Sequence, residues 1–362
     1  MKTTGHNTFT AMILTAAIAV LLTLSGCTDS SGYKEPEFPS ERQLRFEILG
    51  EPLTTRDFGD IFTYGDYIIV CGHDSVSGNT FHVFDKASGL KVMESIQFGG
   101  DPGRTYMGYT MASLHDGVMS YIDPLDKKET VFNMDGMLSH DIPTVTQFPI
   151  LLPESNIRTW DLGDRYLFHN NTYTDSLSGT SRLELYDKNR YVMISVSDPH
   201  PIDNPYLGEC VYASSCGDVS PDGSRAVFGT WRGAILETYD IRDSIRQTSI
   251  HRFIEPLVKI ILRHNRQHHY EHIEQSRVGF CDIYAGNESI YTAFDGINMV
   301  RYVTEEDPLF TRIAVFDWDG RPLELIKTGL SINRLCCDEA EGTVYAIVTD
   351  TDGRLRLGRL KL

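Results

Sequence analysis

Beyond residue 27 the chain has no apolar run long enough to cross a bilayer, which excludes a helical membrane domain in that part. It has no long basic stretch to offset a formal charge of −17, which excludes phosphate-backbone binding as its business and with it a nucleic-acid partner. Cysteine is sparse, seven in 362 residues, and no C-x-x-C pair occurs. A thiolate zinc site and a thioredoxin-type redox centre are therefore not indicated. No G-x-S-x-G elbow is present, and no Ser, His and Asp are linked by spacing. Helical periodicity is missing from almost all of the chain. What remains is a long series of short alternating segments cut by Gly, Asp and Asn turns, the pattern of an all-β sandwich, barrel or propeller.

The N-terminus is different. Lys2 and His6 precede an apolar run over residues 9–24, followed by Leu24-Ser25-Gly26-Cys27. This reads as a secretory signal peptide over 1–26, and its end resembles the bacterial lipobox. That resemblance implies diacylglyceryl and palmitate-type acylation of Cys27 and a lipoprotein held to the membrane by its lipids. Thr28 in place of Asp after Cys27 implies outer-membrane sorting. The mature chain would carry 336 residues and a charge of −18 once Lys2 is lost. Residues 27–43, polar with Gly32, Pro36 and Pro39, read as a lipidated tether, and 44–362 as the folded domain.

Two recurring units decide the architecture. One is an apolar residue, an aromatic or apolar residue and then Asp before a turn: Val83-Phe84-Asp85, Leu185-Tyr186-Asp187, Thr238-Tyr239-Asp240 and Val315-Phe316-Asp317. The other is a turn leading into an apolar strand, as at Gly65-Asp66, Gly163-Asp164, Pro221-Asp222-Gly223, Asn287 and Gly342. The Asp is expected to cap the turn between the third and fourth strands of a blade by accepting from backbone amides. Six blades can be placed, beginning near Arg56, Tyr106, Asn156, Ala213, Arg277 and Ser331, with the region 116–148 irregular. The last blade shows three strands. A segment at 44–49 is expected to supply its fourth, closing an all-β six-bladed propeller.

The lipobox, the Gly99-Gly100-Asp101-Pro102-Gly103-Arg104 turn, Gly279-Phe280-Cys281-Asp282-Ile283-Tyr284, Val219-Ser220-Pro221-Asp222-Gly223-Ser224 and Ile313-Ala314-Val315-Phe316-Asp317-Trp318-Asp319-Gly320 resemble TolB-like six-bladed propeller lipoproteins of Bacteroidota. The resemblance implies the fold and assigns no activity.

Candidate sites follow. Arg56, Arg277 and Arg334 each lie eight or nine residues before a turn, a common register expected to bring them to one channel entrance. With Arg104, Tyr106 and Trp231 on neighbouring loops they form the expected ligand set, the arginines for anion contacts and the aromatics for stacking. The competing reading pairs each arginine with a nearby Asp, such as Asp57, Asp282 or Asp338. Residues 99–104 read as an inter-blade turn rather than an anion cradle, since Pro102 removes a donor. His264, His268 and His272 would share one face if 257–275 were helical, and His268 to His272 matches H-x-x-E-H; a third ligand and a helical setting are missing, so no metal is assigned. No cofactor and no catalytic residue is assigned. Cys210 and Cys216 are the best-placed disulfide pair. Asp74-Ser75-Val76, Asp175-Ser176-Leu177 and Asp243-Ser244-Ile245 resemble the Bacteroidota O-glycosylation sequon.

The functional expectation is a membrane-anchored, non-enzymatic binding or scaffold lipoprotein. Its propeller face would take another envelope protein or a small anionic or glycan ligand. The alternative is a propeller hydrolase or lyase acting on glycans or peptides.

Overall fold

The computed structural model describes residues 32–74, 76–97, 111–123, 127–139, 146–152, 156–170, 181–197, 205–212, 214–262, 268–299 and 309–362; of residues 56–58, 95–97, 148, 205, 262 and 268 it describes the backbone alone. The lipobox, residues 99–104 with Arg104, Tyr106, His264, Ser75 and the 175–177 sequon lie outside the described residues. Ser244 is exposed in a turn.

Residues Glu35–Leu362 form one compact unit of six four-stranded antiparallel blades. Blade 1 holds β3 (Thr55–Tyr64), β4 (Tyr67–Asp74), β5 (Asn79–Asp85) and β6 (Lys91–Gln97). Blade 2 holds β7 (Met111–His115), β8 (Val118–Asp123), β9 (Lys128–Asn133) and β10 (Thr146–Pro149), so the stretch that reads as irregular is a regular blade. A short helix, α1 (Met134–Leu138), hides the pattern by interrupting the link from β9 to β10. Blade 3 holds β11 (Asn156–Asp161), β12 (Arg165–Asn170), β13 (Leu183–Asp187) and β14 (Val192–Val196). After helix α2 (Pro205–Tyr212), blade 4 holds β15 (Ser215–Val219), β16 (Arg225–Thr230), β17 (Ala234–Asp240) and β18 (Arg246–Ile254). A hairpin, β19 (Val258–Leu262) with β20 (His268–His272), precedes blade 5, which holds β21 (Phe280–Ala285), β22 (Ile290–Phe294), β23 (Arg312–Phe316) and β24 (Pro322–Lys327). Blade 6 holds β25 (Ser331–Asp338), β26 (Thr343–Thr349) and β27 (Leu355–Lys361).

The recurring Asp does what its position suggests. Asp85, Asp187, Asp240 and Asp317 accept from the backbone N–H of Ser88, Arg190, Arg242 and Arg321 at 2.8, 2.8, 3.2 and 2.8 Å. Each carboxylate replaces a ladder bond that the turn cannot make.

Two N-terminal strands finish the sheets. β2 (Glu47–Leu49) pairs antiparallel with β27 and supplies the fourth strand of blade 6. Phe46 packs against Gly358, where an added Cβ would stand 2.9 Å from the ring and force it to shift. β1 (Glu41–Gln43) pairs parallel with β24 and covers the outer edge of blade 5. The tether expectation for 27–43 therefore changes from Glu35 onward. Phe38 packs edge-to-face on Phe316 at 5.7 Å, and Arg42 makes a bidentate pair with Glu324 at 2.5 and 2.7 Å. Burial of an aromatic and pairing of a strand override the Pro-rich composition that suggests a linker.

One further expectation is corrected, and one condition is not met. All six cysteines of the unit are free. Cys210 is buried in α2, whereas Cys216 faces away from it and donates its thiol to the Gly229 carbonyl at 3.4 Å, so no bridge joins them. The histidine segment is a β-hairpin, not a helix: Ile260 pairs with Tyr270 and Val258 with His272. The β-branched Val258, Ile260 and Ile261 favour the extended backbone and separate the histidines that a helix would stack. His269 and His272 are exposed on it.

Candidate functional site

The inner strands β3, β7, β11, β15, β21 and β25 line the central channel, and their polar residues bond five of the six blade-to-blade joints through the neighbour's backbone amide or carbonyl, among the described residues. Asp60 on β3 accepts from the Ala112 amide of β7 at 3.1 Å. Ser113 on β7 accepts from the Asp161 amide of β11 at 3.1 Å. Asp218 on β15 accepts from the Ala285 amide of β21 at 2.9 Å, and Asp282 on β21 from the Leu335 amide of β25 at 2.8 Å. Arg334 on β25 closes the ring by donating to the Gly59 carbonyl at 2.9 Å. A strand end that would otherwise leave an amide unpaired against a neighbouring sheet is satisfied by a side chain of that neighbour.

These residues also form one electrostatic group. Arg158 on β11 pairs with Asp60 at 2.5 Å and lies 4.8 Å over the Trp160 ring. Arg334 stands 3.9 Å from Asp282. Burial pushes the Asp218 carboxyl up to about 7 and the Asp282 carboxyl up to about 6, against the pull of amide donors and of Arg158 or Arg334. The folded protein therefore holds protons on these groups that the unfolded chain, with an ordinary Asp near ~3.9, has lost. Between pH ~4 and ~7 their contribution to stability falls as pH rises. Asp218→Asn should gain stability relative to wild type across that interval and hold its gain above it. Urea unfolding midpoints of the two proteins at pH 4, 5, 6, 7 and 8 check this; a constant difference across the series would contradict it.

Above the charged group, at the end of the channel where the first and second strands of each blade turn, lies a cavity of about 280 Å³. Trp160, Tyr284 and Phe62 form apolar walls, Ser113 and Ser220 supply hydroxyls, and Asp218 reaches its floor. His115, the last residue of β7, spans the mouth: its Nδ1–H donates to the Pro221 carbonyl of the β15–β16 turn at 3.0 Å. Gly163 passes beneath it with φ 87°, a left-handed conformation that glycine takes readily, and a Cβ there would stand 3.6 Å from the imidazole. Asp161 on the wall is held by Lys188 at 2.7 Å, which also reaches the buried Glu129 at 3.2 Å.

Of the six residues expected as one ligand set, the three with described side chains, Arg277, Arg334 and Trp231, lie apart from one another. Arg334 is in the channel. Arg277 precedes β21 and lies in a separate groove of about 440 Å³ with Phe38 and Phe294, bonded to the Gly296 carbonyl at 2.7 Å and to Glu35. Trp231 packs against core residues, 6.3 Å from the His272 ring and 5.5 Å from the Arg232 guanidinium. Arg56 is on β3, with its side chain outside the described residues, as are Arg104 and Tyr106. Counts of eight or nine residues back from a turn do not give equal heights, because bulges and turns of different length intervene. β25 carries a register shift between Ile332 and Arg334, and its turn spans four residues, while β3 turns at Gly65-Asp66 alone.

Arg158, Asp60 and Asp218, which complete the channel group, went unassigned from sequence. A signal was present: each stands five residues before its turn glycine, Gly163, Gly65 or Gly223.

Fold and channel together define the class, a six-bladed β-propeller. Residues 211–340 match the family described as TolB-like 6-blade propeller-like. Among solved structures, a putative exported protein from Bacteroides fragilis is similar over 91% of this chain and 98% of its own, at TM-score 0.52 and 12% identity. A member of the DUF4221 family from Bacteroides vulgatus is similar over 91% and 98%, at TM-score 0.51 and 11% identity. At these identities the likeness is one of fold. No curated protein matches the chain.

Proposed function

We propose that the protein is a lipid-anchored envelope scaffold without catalytic activity, which binds a loop of another envelope protein or a neutral glycan at the channel mouth. One observation carries this reading. The mouth offers a cavity of about 280 Å³ with aromatic walls and hydroxyl and imidazole groups, while the charged groups beneath it are engaged in blade-to-blade bonds. Aromatic faces with convergent polar groups suit a peptide or sugar. Asp218 and Asp282, the carboxyls with raised pKa, each accept an amide from the next blade, which favours a structural over an acid–base role. Arg277 and Arg334 bond to backbone carbonyls, which favours a neutral ligand over an anion. The signal-like N-terminus with Cys27, and the similarity in fold to a putative exported protein of Bacteroides fragilis, support the envelope location. Thr28 directs it to the outer membrane.

The test is site-specific photocrosslinking in intact cells. A photoreactive residue at His115 should give a discrete adduct in the envelope fraction, and the same residue at Val92, exposed on the outer strand β6, should give none. Cys27→Ser should release the protein from membranes. Absence of an adduct at 115, or equal adducts at both positions, overturns the mouth as the binding site.

A further inference from the structure

Blade 1 contains a second group of side chains that the channel does not use. Asp74 ends β4, and His82 on β5 stands directly opposite Glu94 on β6. One carboxylate oxygen of Asp74, one imidazole nitrogen of His82 and one carboxylate oxygen of Glu94 all lie within 4.8 Å of one another, the only such grouping of His, Cys, Asp and Glu among the described residues.

The imidazole is the informative member. His82 is 1% exposed. Its Nε2 lies 3.2 Å from the Gly72 carbonyl, which can only accept, so Nε2 carries the proton and Nδ1 presents its lone pair. That Nδ1 is fully buried and has no hydrogen-bond partner; Glu94 Oε2 faces it at 3.7 Å. Two acceptors thus point at each other across a gap. A second-shell carbonyl on one ring nitrogen with the other nitrogen free is the arrangement of a metal-bound histidine.

The carboxylates are prepared in the same way. Asp74 is 2% exposed, and its Oδ1 accepts from the Val76 and Ser77 amides at 2.7 and 3.2 Å. This leaves Oδ2, which takes the Thr54 hydroxyl, turned toward the group. A cation already occupies the slot: Lys91 Nζ stands 2.6 Å from Glu94 Oε2 and 3.9 Å from Asp74 Oδ2. Lys91 is more than a third exposed at the side chain and is free to swing outward. The Lys91 ammonium could donate to an imidazole lone pair, but it is turned to the Glu94 and Asp74 carboxylates, and Nδ1 has no hydrogen-bond partner; a metal ion would satisfy all three ligands. A cavity of about 240 Å³, lined by Thr54, Asp74, His82, Phe84 and Lys91, opens onto the group and leaves room for metal-bound water.

We propose that Asp74, His82 and Glu94 bind a divalent transition-metal ion of the zinc type, with Lys91 as a built-in competitor for the site. One imidazole with two carboxylates favours such an ion over calcium or magnesium, which prefer all-oxygen ligands. No ligand-motif spacing marks these residues, since the group is assembled across three strands. The metal excluded on sequence grounds was a different one, at the histidines of the hairpin.

The experiment is a competition titration of zinc chloride against a chromogenic chelator, on the purified full chain. Wild type should take up one equivalent at this site and show a raised thermal midpoint, with calcium and magnesium inert. His82→Gln and Glu94→Gln should each weaken binding by about tenfold or more. Lys91→Met should tighten it, because the competing charge is gone. If His82→Gln fails to fold, as judged by circular dichroism without metal, the two surface-reaching variants carry the test. Failure of wild type to bind zinc overturns the proposal. So does zinc uptake unchanged in both Glu94→Gln and Lys91→Met, which would place the ion at the hairpin histidines.

Discussion

Removal of residues 44–49 should abolish cooperative thermal unfolding and drive the protein into aggregates. The deletion takes away β2, the strand that completes blade 6. Phe46 and Leu49 are both buried, and each contributes roughly 1.5–3 kcal/mol. Without them the ladder of β27 loses its partners to Ile48 and Leu49, and Leu357 and Leu360, now buried, are laid open along a bare sheet edge. The lost burial alone is about 3–6 kcal/mol, comparable with the whole net stability of an ordinary domain at ~5–15 kcal/mol. The open edge adds a template for strand pairing between molecules. Truncation of residues 1–34 should leave the thermal midpoint unchanged, because the compact unit begins at Glu35. Differential scanning calorimetry with light scattering on both truncations checks the pair. Equal midpoints and no aggregation for the 44–49 deletion would contradict the closure.

Arg182→Met and Glu237→Gln should each cost about 3–5 kcal/mol, and the double change less than the sum. Arg182 stands just before β13 in blade 3 and Glu237 on β17 in blade 4; each is 1% exposed. Their Nη1 and Oε2 atoms are 2.6 Å apart. The guanidinium also donates to the Tyr239 hydroxyl and lies 4.4 Å over the Tyr212 ring, so helix α2 is tied into the same joint. Either single change leaves a charge in a dry joint between two blades. Replacing both removes that penalty, and the aromatic packing remains. Chemical unfolding of the three variants checks this; additive losses would mean that the two side chains do not act as a pair.

The blade count, blade starts and closing strand were legible because they rest on local signals. A capping Asp recurs in blades 1, 3, 4 and 5, alongside the turns that enter the second strands, and the carboxylate-to-amide distances at Asp85, Asp187 and Asp317 are all 2.8 Å. Blade 2 lacks that Asp and carries α1 where the turn should be, so its regularity was hidden. The channel group was not legible for a different reason. Asp60, Arg158, Asp218, Asp282 and Arg334 meet through closure of the ring, at sequence separations up to 274 residues, and bulges in β3, β11, β21 and β25 shift the heights that residue counting assumes equal. At the hairpin a spacing of four among histidines satisfies a helix on paper, while the apolar residues beside them are β-branched and take the extended form.

The division of labour between channel and mouth is tested most directly by Arg334→Gln, which removes the guanidinium that bonds the Gly59 carbonyl and faces the Asp282 carboxylate. This side chain does not line the mouth cavity, and it serves the joint of blade 6 with blade 1. The photocrosslinked adduct at position 115 and the thermal midpoint should be measured on the same preparation. The account predicts a lowered midpoint with the adduct retained. Loss of the adduct at an unchanged midpoint would contradict it, because the channel charges would then serve the ligand and not the fold.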